Sequence, residues 1–454
     1  MSKTQEDLTT GNPMKIIFRF TLPIFIGNVF QQFYNMADTM IVGKFVGNNA
    51  LAAVGSTGTI MFLIYGFVVG MTAGFSVPIA QKFGAGNQKE MKSAVAGAGI
   101  LSLIVGLILT GAFILFMKPL LNVMNTPADI YDDAYRYIII VSAGILAQML
   151  YNLLSSILRA IGNSKLPLVF LIISALLNIV LDLLLIIVFH MGVAGAAYAT
   201  IISQGIAGVL CFFYIVAKVP ILHLKKEDWK INKGIYLLQI KIGIPMALQY
   251  SITAIGTMMV QSALNILGST IVAAYTAAGK IEQVLTQAYV AMGTTMSTYA
   301  AQNMGAGNVK RIREGFKANT IIGIVYSIAA AAICMTVGKY MTIFFVSENV
   351  SLIMSSVDTY LKCVSLFFIP LTYVNVYRNG IQGLGYAFLP MLAGVAELIG
   401  RGVVAIIASH QRSYLGVCLA SPAAWILATA LLLAMYFHIM NKDMVRIFGS
   451  NGKN

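Results

Sequence analysis

Charged residues are scarce in this sequence, and their scarcity excludes an ordinary soluble globular protein. Of 454 residues only 10% are Asp, Glu, Lys or Arg, whereas 58% are hydrophobic and the mean hydropathy is +0.82. A soluble domain needs a polar surface to stay dispersed, and this chain has too few polar side chains to form one. The composition therefore predicts a protein of the lipid bilayer.

Cysteine and histidine are also rare, with four of each. The cysteines, Cys211, Cys334, Cys363 and Cys418, are scattered through apolar segments without the paired spacing of a metal or redox centre. The histidines show no metal-ligand spacing, and neither a Gly-x-Ser-x-Gly nor a phosphate-loop pattern is present. These absences argue against a membrane-embedded enzyme and against an ATP-driven pump, and we expect no cofactor.

Long apolar runs, by contrast, recur along the whole chain. Each exceeds the ~20 residues that span a bilayer, and backbone polar groups cannot remain unpaired in hydrocarbon, so the runs should be helices. The expected spans are 15–43, 50–80, 92–117, 130–156, 165–189, 193–218, 237–266, 270–300, 315–337, 351–377, 383–408 and 414–440. The sequence thus predicts an all-α polytopic membrane protein with about twelve transmembrane helices.

The basic residues that give the net charge of +14 are distributed as membrane topology requires. The charge therefore does not indicate a nucleic-acid partner, and we expect none. With a cytoplasmic N-terminus and alternating spans, only four of the 30 Lys and Arg residues lie in outer loops: Lys44, Lys118, Lys339 and Arg412. This bias is the positive-inside rule. It predicts a multi-pass protein of the cytoplasmic (inner) membrane with both termini in the cytoplasm.

An internal repeat divides the chain. The segment Ala-Gln-Lys-Phe-Gly-Ala-Gly-Asn at 80–87 is answered by Ala-Gln-Asn-Met-Gly-Ala-Gly-Asn at 301–308, and Pro23 is answered by Pro245 in nearly the same register. Such agreement at one offset indicates two halves derived from one ancestor.

The repeat predicts two six-helix lobes, residues 1–218 and 237–454, joined by a cytoplasmic linker at 219–236. Because six spans bring each half into the membrane in the same direction, pseudo-two-fold symmetry about the membrane normal should relate the lobes, as in secondary transporters. A duplicated structural protein without transport activity and a passive channel are the alternatives. We expect a monomer in contact with membrane lipids.

Carboxyl groups inside the spans are few and costly to place, so each needs a reason. From a helix rise of ~1.5 Å per residue, Asp38, Asp182, Thr200 and Tyr137 lie at a similar depth, roughly 8 to 12 Å below the outer surface. Asn178 shares the face of Asp182 one turn away. The sequence predicts one buried polar cluster in the N-terminal half.

Such a cluster suits a coupling ion. Burial disfavours an ionised carboxyl group and a second carboxylate nearby disfavours it further, so the pair can bind a proton near neutral pH, or Na⁺ among Asp38, Asn178, Asp182 and Thr200. The alternative is a structural role with helix-to-helix hydrogen bonds. In the repeat register Asp38 is answered by Val260, which assigns ion coupling to the N-terminal half alone.

Two further acids lie in the C-terminal half. Glu397 and Arg401 are four residues apart on one helix, which favours a salt bridge between them. Glu282 either faces a cavity and attracts a cationic substrate or pairs with Lys280 through a neighbour, and the sequence leaves both readings open.

Nearly the whole chain resembles the multidrug and toxic compound extrusion (MATE) family, in its DinF-like branch. The resemblance rests on the twelve-span duplicated plan, on the segment 31–39 (Gln-Gln-Phe-Tyr-Asn-Met-Ala-Asp-Thr), on the paired Gly-Ala-Gly-Asn loops, and on the segment 178–182 followed by Thr200. It implies that Asp38, Asn178, Asp182 and Thr200 bind the coupling cation, with Tyr137 and Asn152 as neighbours.

The resemblance also implies a secondary antiporter that works by alternating access. Binding of H⁺ or Na⁺ at the aspartates would change the bend of the first span near Pro23 and release a lipophilic organic cation outward. Gln31, Tyr34 and Asn35 extend from Asp38 toward the cavity and are the expected substrate contacts. The alternative is a flippase for lipid-linked precursors of the same superfamily, although an acidic site opposes an anionic pyrophosphate.

Overall fold

The computed structural model describes residues 6–124, 126–344 and 350–449, and its regular structure is helical throughout this part of the chain. The helices of the first half are α1 (Pro13–Phe45), α2 (Asn48–Ser56), α3 (Gly58–Gly84), α4 (Gln88–Val123), α5 (Tyr131–Ala143), α6 (Ile145–Ala160), α7 (Lys165–Asp182) and α8 (Val193–Lys218). Those of the second half are α9 (Lys233–Asn265), α10 (Ser269–Gly305), α11 (Val309–Thr336), α12 (Val350–Ser365), α13 (Phe368–Gly383), α14 (Phe388–His410), α15 (Tyr414–Cys418), α16 (Ala420–His438) and α17 (Met444–Phe448). The predicted all-α fold is confirmed, although the chain ends, residues 1–5 and 450–454, lie outside the described residues.

The helices account for the predicted spans. Among the described residues nine helices are long and apolar enough to cross a membrane, and two bent pairs, α5 with α6 (47°) and Ile353–Ser365 with α13 (52°), raise the number to eleven. The predicted spans 130–156 and 351–377 are therefore broken helices. The expected span 270–300 is α10, which is long enough to cross a membrane. Because it is rich in Thr, Gln and Gly, it is not among the nine apolar helices.

The break between α5 and α6 coincides with a close packing contact. It falls at Gly144, where a Cβ atom would lie 2.2 Å from Cγ2 of Ile201 on α8. Only a residue without a side chain lets α8 approach the bend this closely.

The chain forms two compact units that differ from the predicted halves. Unit 1 comprises Met1–Asp7 and Ile26–Tyr250, and unit 2 comprises Leu8–Phe25 and Ser251–Asn454. The first part of α1 belongs to unit 2 because its buried side chains join the core formed around α10 to α14. Likewise the first part of α9, together with the described linker at 219–236, belongs to unit 1.

The paired Gly-Ala-Gly-Asn loops have the same geometry in both units. Gly86 and Gly307 each adopt φ of +69°, a conformation that favours glycine. The asparagine that follows each of them then caps the next helix, since Asn87 Oδ1 accepts the Glu90 N–H at 3.1 Å and Asn308 Oδ1 accepts the Arg311 N–H at 3.2 Å. The repeated motif therefore ends one helix and starts the next.

The second copy of the motif also holds residues 8–11 within unit 2. Gln302 Oε1 accepts the backbone N–H of Leu8 at 3.1 Å, and Asn303 Nδ2 donates to the Leu8 carbonyl at 3.2 Å. The Arg311 guanidinium donates to the carbonyl of Gly11 at 2.7 Å. These bonds satisfy backbone groups of an irregular segment that has no helix of its own.

Small residues bring α3 and α9 into backbone contact within unit 1. A Cβ atom at Gly70 would lie 2.7 Å from the Cα of Ala247, and one at Gly74 would lie 2.5 Å from the Cα of Gly243. Glycines four residues apart on one helix face allow this close approach, which maximises van der Waals contact where the hydrophobic effect does not drive association.

We expect Gly70→Leu to destabilise unit 1 by about 2 kcal/mol or more, because a bulky side chain at a backbone contact forces the helices apart. The thermal midpoint of the purified protein in detergent, followed by size-exclusion chromatography, measures the effect. Gly58→Leu on the same helix is the matched control, since a Cβ atom there meets nothing within 4 Å. Equal midpoints for Gly70→Leu and the parent would contradict the interpretation.

Candidate cation site

Two carboxyl groups meet inside unit 1. Asp38 lies on α1 and Asp182 is the last residue of α7, and they are 9% and 0% exposed, respectively. Their side chains lie within hydrogen-bonding reach of each other. Residues 144 positions apart in the sequence are thus brought together, as the depth argument predicted.

Asn178 and Thr200 complete the donor set. Asn178 lies one turn before Asp182 on α7, and Thr200 faces it from α8, with 3.5 Å between the Asn178 amide and Thr200 Oγ1. With the amide oriented to satisfy its neighbours, Nδ2 donates to Asp182 Oδ2 at 3.1 Å and the amide oxygen accepts the Thr200 N–H at 3.3 Å. The amide therefore ties the Asp182 carboxyl to α8.

Two tyrosines flank the carboxyl groups. Tyr137 on α5 is buried and Tyr34 on α1 is half-buried, and both side chains lie in the electrostatic neighbourhood of Asp38 and Asp182. The five predicted coupling residues, Asp38, Tyr137, Asn178, Asp182 and Thr200, thus lie in one place.

Within the part of the chain that the structure describes, the carboxyl pair has no basic counterpart. The described salt bridges include Lys82–Glu90, Lys362–Asp358 and Arg378–Glu397, and neither Asp38 nor Asp182 forms one. The Oδ1 atom of each aspartate is buried without a hydrogen-bond partner. Two buried carboxylates cannot both remain charged without a counterion, so this arrangement requires a proton or a bound cation.

The donor set favours a hard cation over a transition metal. The part of the chain that the structure describes contains no group of three or more His, Cys, Asp or Glu residues suited to a metal ion. The oxygen atoms of Asp38, Asp182, Asn178 and Thr200 are instead the ligand type that hard cations prefer. The residues therefore fit H⁺ or Na⁺.

A helical irregularity adjoins the site and was not predicted. A π-helical segment, Leu183–Val188, begins directly after Asp182. Such widened turns occur frequently at functional sites because they shift side chains relative to a regular helix. The segment is uniformly apolar, so its sequence gave no signal of the change.

The residues predicted to bind substrate differ in their hydrogen bonds and in their exposure. Gln31 Nε2 donates to the Tyr65 hydroxyl at 2.7 Å, Asn35 is exposed, and Asn152 Nδ2 donates to the Gln148 carbonyl of its own helix at 2.8 Å. Asn152 is thus bonded within α6 rather than to an aspartate.

Sequence reasoning missed a second polar group in unit 1. Tyr65 and Tyr151 lie near Arg159 at the end of α6. Nothing in the sequence context of Arg159 indicates these two partners.

The acids of unit 2 have partners other than those predicted. Glu397 Oε2 accepts from Arg378 Nη2 of α13 at 2.6 Å, so the prediction of a Glu397–Arg401 salt bridge is wrong. The Arg401 side chain extends instead toward α9, where its Nη1 would lie 2.9 Å from a Cβ atom at Gly256. Arg378 on the neighbouring helix α13 reaches the Glu397 carboxylate, whereas Arg401 on the same helix forms no described salt bridge with it.

Glu282 is bonded to an aromatic hydroxyl. The Tyr360 hydroxyl of α12 donates to Glu282 Oε2, and Arg401 lies in the neighbourhood of the same carboxyl group. The described contacts of Glu282 therefore do not include Lys280.

A model of the MatE family matches residues 23–184 and 242–407, which together make up more than half of the chain. The chain belongs to the MatE family. The family resemblance predicted from the sequence is thereby confirmed, whereas its DinF-like branch stays a prediction. MatE proteins are membrane transporters, which agrees with a polytopic helical fold.

Relatives of this MatE chain match along most of its length. Probable multidrug resistance protein YpnP of Bacillus subtilis is 33% identical over 85% of this chain and 86% of that protein, and YoeA of the same organism, also a probable multidrug resistance protein, is 27% identical over 98% and 99%. The crystal structure of MATE in complex with MaL6 has the same fold, with a TM-score of 0.91, 22% identity and full coverage of both chains.

In this MatE protein a double-mutant cycle distinguishes the two possible partners of Glu397. We expect a coupling energy of more than about 1 kcal/mol between Glu397→Gln and Arg378→Met, because they share a buried charged hydrogen bond. The cycle of Glu397→Gln with Arg401→Met should give a value near zero. Thermal unfolding in detergent provides the energies, and stronger coupling to Arg401 would overturn the observed pairing.

Proposed function

We propose that the protein exports lipophilic organic cations in exchange for H⁺ or Na⁺ by alternating access. The observation that carries the proposal is the buried pair Asp38 and Asp182, which forms no salt bridge with any residue that the structure describes. Membership of a transporter family and the multidrug names of YpnP and YoeA support the direction and the substrate class.

The coupling ion would be held by Asp38, Asp182, Asn178 and Thr200, with Tyr137 beside them. An ion or proton here removes the repulsion between two carboxylates that belong to α1 and α7. Its binding therefore favours the helix arrangement in which they are close, and its release favours one in which they separate. A ligand shifts a conformational equilibrium only through such a difference in affinity.

Pro23 is the proposed hinge of α1. Proline lacks an N–H and weakens the preceding turn of a helix, and the border between the two compact units crosses α1 only three residues later, between Phe25 and Ile26. Bending at this place would move the part of α1 that carries Asp38 relative to the part before Pro23.

The substrate would contact Gln31, Tyr34 and Asn35, which extend from Asp38 along α1. An aromatic face and uncharged polar groups suit a lipophilic cation, and the exposure of Asn35 and the half-burial of Gln31 and Tyr34 leave them accessible. Glu282 is a second candidate contact, in which the substrate would share the carboxylate with Tyr360. Asn152 has its amide engaged within α6 and is the weakest member of the predicted set.

We further propose that the protein acts as a monomer in the cytoplasmic membrane with both termini in the cytoplasm. A flippase for lipid-linked precursors is the alternative. The negative charge of an Asp38–Asp182 pair disfavours an anionic pyrophosphate headgroup, and this supports the cation exporter.

Asp38→Asn and Asp182→Asn should each abolish export of an organic cation while leaving membrane insertion intact, because an amide cannot exchange a proton or neutralise Na⁺. The double variant should be no worse than either single variant if the pair acts as one unit. Growth of a drug-sensitive host on a lipophilic cation measures export. Asp358→Asn is the matched control, since Asp358 already has a basic partner, Lys362, and this variant should keep full resistance. Full resistance in Asp38→Asn would remove the site from the mechanism.

Everted membrane vesicles given separate proton and sodium gradients should take up a fluorescent cation with one of the two. The responding gradient identifies the coupling ion, and collapse of that gradient should release the accumulated compound. Accumulation that is independent of both gradients would contradict antiport, whereas transport of a lipid-linked pyrophosphate in its place would favour the flippase.

A further inference from the structure

A groove of about 700 Å³ lies in unit 1, apart from the aspartates. Its walls come from α4, α6 and α8, and one end reaches the linker between the two halves of the sequence at His223, Leu224 and Trp229. The volume is within the range of small-molecule sites.

The groove is apolar inside and its rims are exposed. Met149, Leu153 and Ile157 of α6 are buried and form its floor, whereas Leu103 of α4 and Phe212 of α8 are about half-exposed at its edges. In a membrane-spanning unit, half-exposed apolar rims face hydrocarbon. The groove is therefore open to the acyl chains of the bilayer.

The linker end of the groove is basic. The exposed residues Lys225, Lys226 and Lys230 surround the groove residues Leu224 and Trp229 in the sequence. On α4, Lys92 is one turn before the groove residue Val95, so the two share a helix face.

Two acids interrupt this basic stretch. Asp228 accepts the backbone N–H of Lys225 at 2.7 Å and is thus turned toward the linker itself, while Glu227 is exposed. The lysines of the linker and α4 remain in excess. Trp229 is 48% exposed beside them, and tryptophan prefers the level of the lipid headgroups.

We propose that this groove is a binding site for one anionic glycerophospholipid. One acyl chain occupies the apolar channel between α4, α6 and α8, and the phosphate lies among Lys92, Lys225, Lys226 and Lys230. The positive-inside rule assigns these lysines to the cytoplasmic leaflet, where anionic lipids attract basic residues of a protein surface.

The only two tryptophans of the chain, Trp229 and Trp425, make a direct test possible. Trp425 is buried in unit 2, so Trp425→Phe leaves Trp229, beside the groove, as the only tryptophan of the chain. The purified protein is reconstituted in phosphatidylcholine with small mole fractions of acyl-brominated phosphatidylglycerol or acyl-brominated phosphatidylcholine. Bromine quenches tryptophan at short range and therefore reports the chain next to Trp229.

We expect half-maximal quenching at a mole fraction of brominated phosphatidylglycerol at least tenfold lower than for brominated phosphatidylcholine. Lys92→Gln and Lys226→Gln should each reduce this preference about fivefold, the effect of removing one basic residue from an anionic membrane surface. Lys226 is exposed and Lys92 is half-buried, and neither substitution changes a buried apolar side chain.

Gly99→Phe tests the channel itself. Gly99 lines the groove, and a Cβ atom there meets nothing within 4 Å, so the phenyl ring fills the space of the acyl chain and should abolish the preference. Gly111→Phe on the same helix is the matched control, because Gly111 is equally open but does not line the groove. Thermal midpoints of both variants establish that they are folded.

Equal quenching by the two brominated lipids in the parent would overturn the proposal, since the groove would then hold any bulk lipid chain. A preference that survives in folded Gly99→Phe would also overturn it, because the anionic lipid would be held by surface charge alone. If Gly99→Phe does not fold, an unchanged preference in the two lysine variants decides against the proposal.

Discussion

The central constraint in this protein is that two buried carboxyl groups lie together without a salt bridge to any arginine or lysine that the structure describes. Asp38 and Asp182 come from helices far apart in the sequence, and Asn178 and Thr200 orient one of them. A buried salt bridge such as Arg378–Glu397 is electrically complete and static. The aspartate pair forms no such salt bridge among the described residues, so its burial requires a proton or a cation from the surrounding solution.

Packing within unit 1 is close where α3 meets α9, and the helix is irregular beside the aspartates. Gly70 and Gly74 let two backbones touch, whereas α7 widens into a π-helical turn immediately after Asp182. A glycine seam leaves little room for adjustment. A π-helical turn departs from regular helix geometry, so the departure lies next to the aspartates and not where α3 meets α9.

Much of this arrangement was readable from residue types and spacing, and the exceptions share one cause. Helix positions, the repeat and the joint location of Asp38 and Asp182 followed from hydropathy and rise per residue, which are properties of single helices. The partner of Glu397 did not follow, because Arg378 lies on another helix and its distance depends on how α13 and α14 pack. The division of the chain into compact units was equally hidden, since it depends on which core the first part of α1 joins.

The two copies of the Gly-Ala-Gly-Asn turn allow the two halves of the chain to be compared. Both copies keep a glycine at φ of +69° and a capping asparagine. By contrast, Asp38 of the first half corresponds to Val260 of the second half, which lies within an apolar cluster. One duplicated chain thus separates two kinds of requirement. The turn that persists in both halves forms the helical hairpins, whereas an aspartate confined to one half is free to serve a task that needs doing only once.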